Sequence, residues 1–358
     1  MLNRRSFLKA MIVGGGTVAA VPFARAFTHS IEIPALQASK IGRSPFLAVS
    51  RVGRRLVAVG VRGQIALSED GGANWSGVSS PVSVDLVALH FASEKMGWAV
   101  GHGGVVLHTA DGGIAWVRQL DGRAAAELSA QYLAERMSLA GADQERYMRF
   151  IDDEKWLQES GGLQPFLDVY FEDEKTGYVV GTFNRIFGTV DGGQTWQPLI
   201  DRTENPSSLH FNSVAGANGT TFLAGEQGGI WRRRPGEQAF TLKATPYDGT
   251  LFGLAVISPT FLLAYGMRGN VFRSEDAGDN WDAIKLSGHG GVTAAARLSS
   301  GDIVLVTQAG TIELSKDDGR SFAPVALKAP MAYADVVEAA PGVLILAGSE
   351  GLRSEALV

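Results

Sequence analysis

The side chains in this chain that could do chemistry are carboxylates, arginines and histidines, because it contains no cysteine. Its six histidines (His29, His90, His102, His108, His210, His289) are scattered, and none pairs with another at i, i+4. Without thiolates or a helical histidine pair, no tetrahedral metal site is expected. Nor is a cofactor expected, since the glycine-rich stretches Gly101–Gly104 and Gly288–Gly291 match no phosphate loop in spacing or context. Among the acids, Glu226 and the neighbouring Tyr247 and Asp248 are the groups a glycosidase could use, as a carboxyl pair or as a tyrosine nucleophile helped by glutamate. Five other acids recur in one fixed context, Ser/Thr-x-Asp-x-Gly-x-x-Trp/Phe: Asp70, Asp111, Asp191, Asp276 and Asp317. An aspartate repeated so regularly reads as a turn residue, since its side chain can accept backbone N–H groups while the next glycine takes positive φ.

The period of that context fixes the elements that carry it. Its aromatic residues Trp75, Trp116, Trp196, Trp281 and Phe322, with Phe240 of a worn copy, recur at intervals of 41 or 44 residues, once doubled to 80. A constant period in this range marks supersecondary units that bury their faces by stacking. Each unit reads as a glycine-bounded hairpin such as Gly60-x-x-Gly63, an apolar strand, the aspartate turn and an outer strand opened by the aromatic residue. Gly348–Ser354 repeats the first half of the unit, and extrapolating the register backwards makes Ile31 to about Ser39 the strand that would complete it. The fold expected is therefore all-β: a seven-bladed β-propeller closed by strands from both ends, which leaves no free edge.

Residues 121–164 interrupt the pattern. They are rich in alanine, glutamate and leucine and lack proline until Pro165, and they read as two helices broken at Gly141, with Asp143 available as a cap. This helical insert falls between blades two and three, either packed on the rim or serving as a docking surface. At the amino terminus, Asn3-Arg4-Arg5-Ser6-Phe7-Leu8-Lys9 precedes an uncharged run and Ala24-Arg25-Ala26. That order predicts a twin-arginine export signal over 1–26, with Arg4 and Arg5 as its address, and a propeller over 27–358 in the periplasm. Removing the four basic residues of that segment takes the formal charge from −5 to −9. Such a balance excludes nucleic acid as a partner, because binding phosphate backbones needs a clustered positive footprint.

The repeats resemble Asp-box, or bacterial-neuraminidase-type, repeats. Seven units behind an export signal resemble the photosystem II stability/assembly factor family of propellers, most closely over Pro165–Trp196, and the arrangement is similar to its branch in non-photosynthetic bacteria. The resemblance implies a non-enzymatic accessory or assembly scaffold for a membrane protein or envelope complex, associated peripherally and as a monomer. The branch is expected to work beside resistance-nodulation-division type exporters. It also implies a basic binding surface of arginines in the G-x-R-G hairpins, here Arg62 and Arg268, with Arg185 two residues further along in blade three and His102 in the same row. Asp-boxes also occur in sialidases and other glycosidases, so a glycoside hydrolase is the rival reading; the arginine triad, six blades and F/Y-R-I-P motif of sialidases are not matched. The run Arg232–Arg234 replaces the Asp-box of blade four and reads as an exposed edge or as a contact for anionic groups.

Overall fold

The computed structural model describes residues 29–36, 38, 41–159, 161–326 and 329–357. The expected export signal, with Arg4 and Arg5, lies outside the described residues. Seven antiparallel sheets follow one another along the chain, six of four strands and the last of three. Blade one is typical: β1 (Phe46–Val52), β2 (Arg55–Gly60), β3 (Ile65–Ser68) and β4 (Ser76–Val78) pair in sequence order. Apolar residues on both faces of the middle strands fill the spaces between blades. Val57, Val59 and Ile65, for example, pack against Leu86, Ala99, Leu107 and Trp116 of blade two. Innermost strands touch their neighbours all the way round, and β1 meets the innermost strand of blade seven, Tyr333–Ala340, so the ring is closed.

The inner strand of each blade is an open sheet edge with unpaired N–H groups facing the axis, and such groups need acceptors. Side chains from the preceding blade supply several. Asp335 of blade seven accepts the N–H of Val336 beside it and of Val49 in blade one, both at 2.8 Å. Asp168 of blade three does the same for Val169 and for Val214 in blade four, also at 2.8 Å. The Tyr265 hydroxyl of blade five takes the N–H of Ala295 in blade six. Val49, Val214 and Ala295 are equivalent positions, each three residues after the start of its strand. Burial pushes the Asp335 carboxyl up to about 7 and that of Asp168 to about 6, against the opposing pull of these N–H groups.

The closing strand expected at Ile31–Ser39 is not formed. Ser30–Glu32 is a single 3-10 turn, and no described residue of that stretch pairs with Gly351–Ala356, the outermost strand of blade seven; Gln37 and Ser39 lie outside the described residues. Ile31 is instead fully buried in the cluster between blades one and two, with Val82, Val84 and Leu86. The blade-seven edge is covered by a second 3-10 turn, Ile41–Arg43, packed so closely that a Cβ on Gly351 would lie 2.1 Å from the Gly42 carbonyl oxygen. Closure thus rests on side-by-side packing and Asp335, with no strand shared across the seam among the described residues.

At the opposite end of the blades the Asp-box turns hold themselves together. Asp111 Oδ1 accepts the Thr109 hydroxyl and the N–H groups of Ile114 and Ala115, and Thr109 Oγ1 accepts the N–H of Gly113. Asp70, Asp191, Asp276 and Asp317 repeat the pattern with Ser68, Thr189, Ser274 and Ser315. Donors from the main chain and side chain of Asn74 hold the Asp70 carboxyl down to about 2. Trp75, Trp116 and Trp281 close their boxes by donating Nε1–H to a glycine carbonyl three residues back, whereas the buried indole nitrogen of Trp196 has no hydrogen-bond partner. The Phe322 ring packs into the core between blades five and six. Because Thr109 is buried, Thr109→Val should strand the Gly113 N–H and cost roughly 1–3 kcal/mol, read as a lower urea midpoint at unchanged slope. An unchanged midpoint would show that the hydroxyl does not hold the turn.

Four blades also reach across to the next blade's turn. Arg55 donates to the carbonyls of Asp111 and Gly112, Gln119 to Gly192, Arg232 to Ala277, and Arg273 to Asp318. This corrects the reading of Arg232 as an exposed edge, whereas Arg234 is exposed. Arg232 is buried and pairs with Asp279 at 2.8 Å, and Arg234 reaches the same carboxylate at 3.2 Å, so both are spent holding blade five.

Two helices lie in the chain between strands Val117–Leu120 and Phe166–Phe171: α1 (Gly122–Leu139) and α2 (Gln144–Glu159). Asp121 caps α1 by accepting the N–H groups of Arg123 and Ala124. Both helices converge on Asp201 in the loop after blade three. Its carboxylate accepts Tyr132 and Tyr147 hydroxyls at 2.7 Å and Arg136 Nε at 3.1 Å, while Arg146 donates to its main-chain oxygen. Leu133, Tyr147, Phe150 and Ile200 form the apolar contact beneath.

Candidate partner-binding face

The hairpins joining second and third strands lie at the end of the ring away from the Asp-boxes. Four of them are single 3-10 turns with a left-handed central residue: Val61–Gly63, His102–Gly104, Glu226–Gly228 and Met267–Gly269. Each turn is locked by its surroundings. A Cβ on Gly63, which has a φ of +73°, would lie 2.0 Å from the Val82 carbonyl oxygen. In the central position Arg62, Gln227 and Arg268 hold φ of 53–60°, a conformation that costs a non-glycine residue roughly 1–2 kcal/mol. Backbones in this conformation turn the central side chains outward from the blade.

Arg62, His102 and Arg268 are exposed, and no hydrogen bond or ion pair joins their side chains to another described residue. Asp85 draws the first two together: its carboxylate accepts the N–H of Arg62 at 2.8 Å and its main-chain oxygen accepts that of His102 at 2.9 Å. Arg268 is in blade five, across the ring from them, so the arginines form separate points rather than one patch. Arg185 does not belong to this face. It is 4% exposed and pairs with Glu154 of α2 at 3.1 Å, because the insert carries a carboxylate down over the blade-three hairpin. Burial holds Glu154 above the usual carboxylate range against the pull of Arg185.

In blade three the outward residue is Phe183, at a φ of 55° and followed by Asn184 at 58°. Buried Asn184 fixes this conformation: its amide donates to Ile200, its side-chain oxygen accepts from Thr203 and Asn205, and its N–H reaches Leu209. The Phe183 ring meets Trp156 of α2 edge-on at 5.8 Å and His210 at 4.7 Å. Beside this ledge a cleft of about 800 Å³ separates α2 from the loop 203–208, with Arg146, Arg149 and Asp153 on the helix side. None of these features was singled out in the sequence, although aspartates inside the apolar strands FLDVYF and YADVVE are a legible signal for the seam acids.

The turn that carries Glu226 packs against the segment that carries Tyr247 and Asp248, with the Gly228 N–H on the Gly249 carbonyl at 2.7 Å. The Glu226 carboxylate accepts the N–H of His210 at 2.8 Å, and the Tyr247 hydroxyl meets the Met267 carbonyl at 3.4 Å. No hydrogen bond or ion pair joins Glu226 to Tyr247 or Asp248 among the described residues, and no group of three metal-ligating side chains occurs among them. Asp168 and Asp335 each use both oxygens on backbone N–H groups.

A family model described as "Photosynthesis system II assembly factor YCF48" matches residues 151–324, just under half of the chain. A photosystem II assembly lipoprotein Ycf48 from Synechococcus sp. (strain CC9902) is 29% identical over 162 residues, 43% of this chain and 47% of the relative. The Ycf48 protein of Thermosynechococcus vestitus is 29% identical over 163 residues, 43% of this chain and 45% of its own length. The chain therefore aligns with about half the length of the curated relatives it matches. In fold it is similar to a YCF48 solved bound to a D1 peptide, with a TM-score of 0.62 at 18% identity, over 91% of this chain and 99% of the other. The YCF48 structure from Cyanidioschyzon merolae matches with the same TM-score at 15% identity, over 88% and 96%. The WD40 propeller domain of Doa1 follows at 0.59 and 13%, over 90% and 95%.

Proposed function

We propose that this chain, similar over just under half its length to the photosystem II assembly factor-like family of Asp-box propellers, is a non-enzymatic scaffold that holds a segment of a membrane protein during assembly or operation of its complex. The observation that carries the reading is the hairpin face, where Arg62, His102 and Arg268 stand exposed and unpaired on tight, closely packed turns. Exposed guanidinium forks suit carboxylates of a partner. The relative solved with a D1 peptide supports a peptide segment as the thing held. The partner we have in view is an envelope complex of a non-photosynthetic bacterium, a resistance-nodulation-division type exporter, met by a monomer exported by the twin-arginine route to the periplasm and associated peripherally.

The test is co-purification of the full chain from detergent-solubilised envelope. Arg62→Ala, His102→Ala and Arg268→Ala together should reduce recovery of the membrane partner at least tenfold while leaving the melting temperature within about 2 °C, since exposed turn side chains contribute little to the core. Recovery unchanged in the triple variant would remove the hairpin face from the reading. Turnover of sialosides or β-glucan oligosaccharides that vanishes in Glu226→Gln or Tyr247→Phe would replace it with the glycosidase one.

A further inference from the structure

We propose that the cleft between α2 and the loop 203–208 is a seat for a peptide carboxylate, with Arg149 as the recognising group and Trp156 as an apolar shelf beside it. The inference rests on the scaffold reading and places one contact that the reading leaves open. Its basis is a guanidinium without a partner. The acids of the cleft each have one local contact, Asp152 with Lys155 at 3.8 Å, Asp153 with the Ser208 hydroxyl at 3.3 Å and Glu204 with the N–H of Leu242 at 2.9 Å. The two arginines keep most of their donors free. Arg146 spends one nitrogen on the Asp201 carbonyl and lies over the Phe150 ring, and Arg149 has no hydrogen bond or ion pair to any described residue. A guanidinium carries five donors in a planar fork, so Arg149 offers the cleft a free group suited to a carboxylate.

The helix sets the spacing. Arg149, Asp153 and Trp156 share one exposed face at i, i+4 and i+7, while Tyr147, Phe150, Glu154 and Leu157 are buried beneath. Trp156 is 57% exposed and braced edge-on by Phe183, whose backbone the Asn184 network fixes. The cleft volume of about 800 Å³ suits a short peptide more than a single ion. The occupant is therefore an extended segment presenting a carboxylate to Arg149 and an apolar side chain to Trp156. The carboxylate can be a chain terminus or an acidic side chain.

The experiment uses the full chain and three fluorescein-labelled probes read by anisotropy. The probes are Gly-Ser-Phe-Ala-Leu with a free terminal carboxylate, the same peptide as its amide, and the amide with glutamate in place of serine. The free acid or the glutamate amide should bind at least tenfold more tightly than the neutral amide, and which of the two does so identifies the source of the carboxylate. Arg149→Glu should abolish that tenfold preference, Arg149→Lys should keep part of it, and Trp156→Ala should weaken all three probes without changing their ratio. Because Arg149 is exposed, an unchanged circular dichroism spectrum and melting point will show that Arg149→Glu still folds. Equal binding of acid and amide, no binding by any probe, or a preference indifferent to Arg149→Glu would each overturn the proposal. A carboxylate preference lost in Arg62→Ala or Arg268→Ala but kept in Arg149→Glu would reject this seat and leave the scaffold reading standing. Failure of the wild-type protein to co-purify with any membrane partner would count against that reading independently of the cleft.

Discussion

Glu154→Ala should destabilise the protein by about 3–5 kcal/mol, because it leaves the buried guanidinium of Arg185 without its counter-charge. The pair is almost wholly enclosed, and one nitrogen of Arg185, Nη1, already lacks a partner, so no neighbour can take over. The helices should loosen first, since Glu154 joins α2 to the blade-three hairpin. Combining Arg185→Met with Glu154→Leu should recover most of the loss, as apolar residues of similar volume often replace a buried pair at little cost. Urea titrations of the two single variants and the double variant form the cycle. A Glu154→Ala protein as stable as wild type would mean that α2 is not held at this point.

Asp335→Ala is the second large effect, roughly 2–5 kcal/mol, because two main-chain N–H groups at the closing seam lose their acceptor. The loss should depend on pH in a fixed direction. Burial raises the carboxyl from 3.8 to about 7, so its contribution is complete below pH 3.8 and fades as pH rises through about 7. Between pH 5 and 8 the wild-type melting temperature should therefore fall more than that of Asp335→Asn, and the Asp335→Ala penalty should be larger at pH 5 than at pH 8. Parallel profiles for wild type and Asp335→Asn would show that the carboxyl does not titrate at the seam. Asp168, raised to about 6 by the same cause, should give a smaller effect displaced towards lower pH.

What could be read from the sequence was whatever local chemistry repeats. The aspartate, the glycines and the aromatic residue of each turn interact within a few residues of one another, so their spacing carries the blade count. Contacts that join distant segments left no such trace. Ile31 was placed in a strand by extrapolating the period, but an isoleucine fits an edge strand and a core plug equally well, and the cavity beside Val82 and Val84 decided it. Arg185 looked exposed because its hairpin row is exposed elsewhere, and only the path of α2 brings Glu154 over it. Arg232 and Arg234 likewise answer to Asp279, an acid one blade further on.

The way the ring closes has a genetic corollary. A propeller stitched by a shared strand has one privileged blade, made from both ends of the chain, and any rearrangement of chain order must preserve it. Here the join between blades seven and one is made as that between blades three and four is, by packed side chains and an acid reaching over to the next backbone, with no strand shared among the described residues. Chain order is therefore nearly interchangeable around the circle. A gene opened at another blade boundary, its old ends linked, would encode the same set of joins and add only the modest entropy of one new loop. Whole blades are in this sense units that duplication can add or remove without first unpicking a clasp.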